Sequence, residues 1–323
     1  MKHTLAAALL GLTLAPACHA GYTASTTVDT AAGSVINLAP FVQVVDDPLQ
    51  RKTTQSTPSA LTDAQSATAD YRSSLYNLSG SASAMAQASP GALRLQAAAQ
   101  GATNITPPAG GTTRAFLSSG GYAYAEARTV DTMVWTHSSG ATGLVYLDLV
   151  VRFDGTADVS KNNVGGWSDG YAEYQWGFNM PWGGGASGVK AYSWDSSDVV
   201  RDSTSFGNFV VTVPVWLGVP VDLTMWASAT TRANGYSQCD NCNFVVNGAA
   251  AALGDYSHTF AWQGVQAARW ADGSAIDVAA VSGKGASGFD YATAVPEATT
   301  TAYFLLGLVV FGLLRRRSST ATA

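Results

Sequence analysis

Short runs of alternating large and small residues or of β-branched residues follow one another after residue 110, and both patterns predict β-strands. A period of two places successive side chains on opposite faces of a sheet. The clearest runs are 121–128, 144–153, 171–178, 208–215 and 221–229. The turn near Gly218 that separates the last two runs predicts a β-hairpin. Further strands are predicted at 257–265 and 275–281, joined through a turn at 271–274.

No helix-length amphipathic pattern interrupts these runs, so residues 110–292 are predicted to form an all-β domain. Many short strands without intervening helices favour an antiparallel β-sandwich of jelly-roll-like type. Residues 21–109 are rich in Ala, Ser and Thr and are interpreted as the opening strands and loops of the same ectodomain. Within them, 91–97 alternates like a strand, whereas 61–78 leaves a helical alternative open.

The first twenty residues have the layout of a signal peptide. A basic residue precedes the apolar stretch 5–14, and small residues then lead to Ala20. Cleavage after Ala17 is a rival to cleavage after Ala20, and a lipoprotein modified at Cys18 is a third interpretation. Residues 1–20 are therefore expected to direct export.

The opposite end combines an apolar segment with a basic cluster. Residues 298–314 carry no charge and would form a helix of about 25 Å, against about 30 Å for a bilayer core. Arg315, Arg316 and Arg317 resist translocation and would keep the tail 318–323 cytoplasmic. Together with the N-terminal signal, this topology places everything between the two ends outside the cytoplasmic membrane.

Val295, Pro296 and Glu297, followed by the apolar helix and the arginine cluster, resemble the PEP-CTERM sorting signal over residues 294–317. In that family a Pro-Glu-Pro motif precedes the helix, and the membrane protease exosortase acts near it in bacteria of the Gram-negative type. Ala298 stands where the motif has its second proline. The resemblance implies an exosortase-type protease as partner and a transient inner-membrane anchor. It then implies a cell-surface or extracellular location in association with exopolysaccharide and biofilm.

Charge patterning argues against nucleic acid as a partner. The chain has a formal net charge of −5 and only 12% charged residues. Without Lys2 and the terminal arginine cluster, 13 basic residues face 22 acidic ones, so the exported part is distinctly acidic. No basic patch of the kind that binds nucleic acid remains.

Cys239 and Cys242 are the cysteine pair that remains after signal removal. In an exported protein, the C-x-x-C spacing predicts a local disulfide that pins a turn. Redox chemistry and zinc binding are the alternatives, but zinc would need His137 and His258 to complete its four ligands. No metal site and no cofactor is predicted.

Trp167 and Trp182 are the candidate saccharide contacts, because both lie among glycines where exposed aromatic rings can stack on sugars. The aromatic residues of the alternating run 171–178 are interpreted mainly as core. The segment 166–170 matches G-x-S-x-G, but a turn is favoured, since a nucleophile elbow needs a strand-to-helix context.

The sequence thus predicts an exported structural or polysaccharide-associated surface protein that is not an enzyme. The alternative is a secreted jelly-roll glycosidase or lyase that uses Glu126 and Glu173. Such enzymes pair one protonated and one ionised carboxyl group at a fixed separation. A third hypothesis is a permanently anchored inner-membrane protein, which would result if the altered motif were not cut.

Overall fold

The computed structural model describes residues 21–38, 41–56, 60–181, 184–194 and 207–294. These residues are almost entirely β-strand, and all pairings between the strands are antiparallel. The strands form two sheets with a shared core, which confirms the prediction of an all-β antiparallel sandwich.

The strands within the described ranges are β1 (Tyr22–Leu38), β2 (Phe41–Ser56), β3 (Leu61–Arg72), β4 (Tyr76–Ser89), β5 (Ala92–Ile105), β6 (Thr113–His137), β7 (Gly143–Phe153), β8 (Thr156–Val164), β9 (Trp167–Met180), β10 (Gly184–Trp194), β11 (Gly207–Leu217), β12 (Pro220–Cys242), β13 (Val246–Trp270), β14 (Ala275–Ile276) and β15 (Val281–Gly285). A single 3₁₀ turn, Val278–Ala280, separates the last two of them.

The seven-stranded sheet has the order β10-β9-β12-β6-β1-β2, with β15 also paired to β6. The eight-stranded sheet has the order β11-β7-β13-β5-β4-β3, with β8 and β14 also paired to β13. Strands from both halves of the chain lie in each sheet. The Ala/Ser/Thr-rich residues 21–109 therefore supply central strands as well as edges.

Several predicted features lie outside the described residues. They are the signal peptide 1–20, the saccharide candidate Trp182, the sorting motif Val295, Pro296 and Glu297, the apolar segment 298–314 and the cluster Arg315, Arg316 and Arg317. Among the residues that the structure does describe, no helix has the length and apolarity needed to span a bilayer.

The predicted hairpin at Gly218 is wrong, because β11 and β12 belong to different sheets. β11 pairs with β7, whereas β12 pairs with β6 and β9. Gly218 has a φ of 81° and donates its N–H to the carbonyl of Trp135 at 2.8 Å, which turns the chain from one sheet to the other. Two consecutive strands show the same alternation of residues whether they pair in a hairpin or face each other across the core. The sequence pattern therefore could not distinguish the two arrangements.

The helical alternative for residues 61–78 is also wrong. This segment forms β3, a turn and the start of β4, which pair in register along their length. The Ser73 hydroxyl accepts from the backbone N–H groups of Leu75 and Tyr76 at 3.3 and 2.9 Å and stabilises the turn. Alternating exposure along β3 and β4 shows that the period is two rather than 3.6.

The backbones of the two sheets come into contact near the middle of the sandwich, at a set of glycines called here the glycine waist. It consists of the inward-facing glycines Gly80, Gly101, Gly121, Gly235 and Gly248. An added Cβ at Gly121 would overlap the carbonyl oxygen of Ser81, which belongs to the opposite sheet. Ordinary sheet packing leaves about 10 Å for side chains, so this approach is possible only where side chains are absent.

Buried hydroxyl groups satisfy polar backbone at the waist and lie between the two largest of four apolar clusters. Thr103 and Ser237 form a hydroxyl–hydroxyl hydrogen bond of 2.8 Å between the sheets, and Ser34 donates to the carbonyl of Ala69 at 2.8 Å. The larger core lies on one side and contains the fully buried Trp135 and Trp262. The smaller core lies on the other side and contains the two cysteines, Ile36, Leu78, Ile105, Leu117 and Val246.

A C-terminal lock holds the last described residues against the larger core. Asp131 on β6 is 1% exposed and accepts hydrogen bonds from the Ser287 backbone N–H at 3.2 Å and from the Tyr291 hydroxyl at 2.9 Å. Burial and the neighbouring Asp131 raise the pKa of Tyr291, so its hydroxyl remains a donor. The indole of Trp262 donates to the Tyr291 carbonyl at 2.6 Å.

Asp290 fixes the same segment from within. Its carboxylate accepts from the N–H groups of Gly283 and Ala292 at 2.8 and 3.0 Å and from the Ser282 hydroxyl at 2.9 Å. Burial opposes ionisation of Asp290, but these hydrogen bonds outweigh it and lower its pKa. The carboxylate therefore stays ionised at neutral pH.

Candidate functional site

The candidate site lies on the outer face of the seven-stranded sheet, which carries partly exposed aromatic and polar side chains of β6 and β9. On β6 the alternation places Ala123 and Ala125 in the core, so the larger Tyr122 and Tyr124 lie on the outside. On β9 the phase differs, because Tyr174 and Trp176 are buried and Tyr171 faces outward. The expectation that aromatics in 171–178 are mainly core therefore holds for Tyr174, Trp176 and Phe178, whereas Tyr122 and Tyr124 of β6 are partly exposed on the outer face.

An aromatic platform, formed by Phe116, Trp167 and Tyr236, lies at one end of this face. The rings of Trp167 and Tyr236 stack with centroids 5.5 Å apart and an interplanar angle of 13°. Phe116 packs against Trp167 with centroids 6.2 Å apart. Trp167 is 37% exposed although it begins strand β9 rather than lying in a loop. A rigid, partly exposed aromatic surface of this kind suits stacking on a planar or sugar ring.

A shallow groove of about 420 Å³, called here the front groove, lies beside the platform. The side chains and glycines that define it are Gly33, Gly120, Gly121, Tyr122, Arg232 and Asn234. Gly33, Gly120 and Asn234 are direct cross-strand neighbours, one row along the strands from Tyr236. That row spacing is about 7 Å, so the groove and the platform form one continuous surface.

A hydrogen-bonded network holds the edge of the front groove in place. Asp169 accepts from the Asn234 amide nitrogen at 2.6 Å and from the Tyr236 hydroxyl at 3.3 Å. Burial, followed by the negative charge of Asp169, raises the pKa of Tyr236, which keeps its hydroxyl protonated. The side-chain oxygen of Asn234 lies over Gly120, where a Cβ would overlap it. The amide is therefore oriented before any ligand arrives.

Arg232 supplies the charged group that lines the front groove. It is exposed on β12, two residues from Asn234 on the same face. The opposite wall is Tyr122 of β6, its direct cross-strand neighbour. A guanidinium beside a phenol ring and an oriented amide can donate several hydrogen bonds to hydroxyl or carboxylate oxygens.

Glu126 and Glu173 lie on this same outer face but on strands separated by β12. Glu126 is opposite Ser228, and Glu173 is opposite Thr230. Two strand spacings and two residues of offset put their Cα atoms about 12 Å apart. Each carboxylate accepts from a tyrosine on its own strand, Tyr124 in one case at 2.6 Å and Tyr171 in the other. Neither glutamate lines the front groove.

The C-x-x-C pair forms a disulfide at the end of β12, which confirms that prediction. Asn241 between the cysteines has a φ of 59°, and the pairing with β6 shifts register there. Both cysteines are buried in the smaller core. The disulfide thus fixes the tight turn that follows the aromatic platform along β12.

The G-x-S-x-G segment has no nucleophile-elbow geometry. The bend is confined to Gly165 and Gly166, and Trp167 already begins β9. Ser168 is 1% exposed and donates its hydroxyl to the Asn163 side-chain oxygen at 2.8 Å. Its hydroxyl is therefore occupied and shielded.

Within the described ranges, no three or more His, Cys, Asp or Glu side chains are grouped so that they could hold a metal ion. Asp154 instead pairs with Arg152 at 2.8 Å, and Asp240 pairs with Arg114 at 3.0 Å.

No protein-family model matches this chain, and neither the curated proteins nor the solved structures contain a match. The fold and the outer-face geometry define a β-sandwich with a candidate ligand-binding face. The sequence motifs singled out Trp167 but missed Tyr122, Arg232 and Asn234, because their common groove forms only when β1, β6 and β12 pair.

Proposed function

We propose that this protein is an exported surface or matrix protein that binds polysaccharide through the outer face of the seven-stranded sheet. The observation that carries the proposal is the Trp167–Tyr236 stack beside the glycine-floored front groove. Sugar rings stack on aromatic faces, and their hydroxyls take hydrogen bonds from groups such as Arg232 and Asn234. The groove is open and shallow, which suits a polymer rather than an enclosed small molecule.

Binding rather than catalysis is the proposed activity. The two glutamates are held by tyrosines away from the groove, and Ser168 is shielded. Inverting glycosidases separate their carboxyl groups by about 6.5–9.5 Å, and retaining ones by about 5 Å. The strand positions of Glu126 and Glu173 favour a wider separation.

Replacing Trp167 with alanine is expected to weaken binding to the producing cell's own exopolysaccharide at least tenfold, about 1.4 kcal/mol. The reason is loss of the stacking surface that Tyr236 supports. Affinity electrophoresis or titration calorimetry of the full-length protein in mild detergent measures this. The matched control is Trp216→Ala, because Trp216 is 51% exposed on the other sheet. Equal effects of the two substitutions would contradict the proposed site.

The proposed route of export has its own test. The sorting residues Val295, Pro296 and Glu297 are proposed to direct an exosortase-type protease, which releases the protein from its transient inner-membrane anchor. Intact-mass spectrometry of the surface form is expected to show loss of residues 1–20 and of the arginine cluster. Glu297→Ala is expected to accumulate uncut, whereas Thr299→Ala is processed normally. Surface protein that retains its arginines would contradict this route and favour permanent anchoring.

A further inference from the structure

The outer face of the eight-stranded sheet carries a second groove, called here the back groove. It consists of two adjoining depressions of about 480 and 350 Å³ that share Ser79, Ala102 and Ala249. The first crosses β3, β4, β5, β13 and β8, so it extends over about 19 Å across the strands. Its floor consists of small side chains and of the backbone at Gly80 and Gly101.

The glycine waist explains why the two grooves lie back to back. A Cβ at Gly80 would overlap the carbonyl oxygen of Gly120, and Gly120 lines the front groove. Gly80 itself lines the back groove. Where the sheets touch, the sandwich is thinner than elsewhere, and both outer surfaces are drawn inward. One structural feature therefore shapes two depressions that open in opposite directions.

A row of side-chain amides borders the back groove. Asn77, Asn104 and Asn247 are consecutive cross-strand neighbours on β4, β5 and β13. The side-chain oxygen of Asn247 is buried and has no hydrogen-bond partner among the described residues. The side-chain amides of Asn77 and Asn104 line the second depression and can donate and accept hydrogen bonds there.

The chemistry of the back groove suits a hydroxyl-rich chain. Amide and hydroxyl groups such as those of Ser79, Gln100 and Asn104 donate and accept hydrogen bonds without requiring ligand charge. Asp70 and Arg72 of β3 and Lys161 of β8 also line it, so the groove carries both signs of charge around neutral hydrogen-bonding groups.

We propose that the back groove is a second saccharide-binding site, so that one sandwich holds two separate polysaccharide chains. This inference rests on the proposed function, because the front groove supplies the first site. Grooves that open in opposite directions cannot be spanned by one short oligosaccharide. Two independent sites on one rigid domain make the protein a cross-linker, and the strength of a network of many such links exceeds that of one site.

Stoichiometry and cross-linking test the proposal on the full-length protein in mild detergent. The probes are oligosaccharides from partial hydrolysis of the producing cell's exopolysaccharide, for calorimetry, and the intact polymer, for turbidity. Ser79→Trp fills the back groove from an exposed strand position, and Gln87→Trp is the control on the same face of β4 but outside the groove. Trp167→Ala combined with Arg232→Ala disables the front groove.

The wild type and the Gln87→Trp control are expected to bind two oligosaccharides per chain and to make the polymer turbid. Ser79→Trp and the front-groove double variant are each expected to bind one, with turbidity lost. The second site is refuted if Ser79→Trp still binds two oligosaccharides. It is also refuted if the wild type binds a single oligosaccharide and the front-groove double variant binds none. In both cases the proposed function still stands. If the wild type binds none, both proposals fail.

Discussion

Replacing Gly121 with alanine is expected to lower the free energy of unfolding by about 3 kcal/mol or more. The new methyl carbon would overlap the carbonyl oxygen of Ser81 and lie 2.7 Å from its carbonyl carbon, whereas real Cβ atoms essentially never come within 3.0 Å of other atoms. The obstructing atoms are backbone of the opposite sheet, so no side chain can rotate away. The sheets would have to separate, which would also open the Thr103–Ser237 hydrogen bond.

The matched control is Gly170→Ala on β9. Gly170 is also buried in a strand, but its added Cβ would be 3.6 Å from Val159, an ordinary contact. We expect a change within about 1 kcal/mol, since alanine also reduces the entropy of the unfolded chain. Chemical denaturation followed by tryptophan fluorescence measures both variants. Similar midpoints for Gly121→Ala and Gly170→Ala would show that the sheets are not in backbone contact.

The strands themselves could be predicted from the sequence, because alternation and β-branched runs are local properties. The runs at 144–153 and 171–178 lie inside β7 and β9. The assignment of strands to sheets could not be predicted in the same way. β11 and β12 follow each other through a short turn, and only the positions of β7 and β6 decide that they lie on opposite sides of the core.

The candidate site was harder to predict than the fold because its residues are neighbours in space and not in sequence. Alternation at Tyr122 and Tyr124 is compatible with either face of a sheet. In the structure Ala123 and Ala125 fill the core side of β6, and Tyr122 and Tyr124 therefore face outward. The aromatic residue Trp167 carried a recognisable signal, whereas an arginine in a strand such as Arg232 carried none.

The two faces of the sandwich also bear on the choice between a binding protein and a glycosidase. Catalysis by paired carboxylates needs a cleft that shields one carboxyl group from solvent and keeps it protonated. Neither Glu126 nor Glu173 lines the front groove or the back groove. Two shallow grooves lined by hydrogen-bonding groups are instead typical of a protein that adheres to a polymer.

Replacing Asp131 with alanine is expected to cost about 3–5 kcal/mol and to release the C-terminal lock. The substitution removes the acceptor for the hydroxyls of Ser287 and Tyr291 and leaves both groups buried or half-buried without it. Asp131→Asn is expected to cost less, because its amide oxygen can still accept from Tyr291. Asp272→Ala is the control, since Asp272 is exposed in the turn after β13 and its carboxylate accepts hydrogen bonds from Ser274 within that turn.

Hydrogen exchange of the full-length protein distinguishes release of the lock from general weakening. The N–H groups of Gly285 and Tyr291 donate within the segment, and that of Ala286 donates to Thr132 on β6. These amides are expected to lose protection in Asp131→Ala while those of β12 keep theirs. The proposed sorting residue Val295 follows Tyr291 of the lock by only four positions, so the same variant also tests whether the lock affects processing. Uniform loss of protection in β12 and the lock would contradict a separable lock.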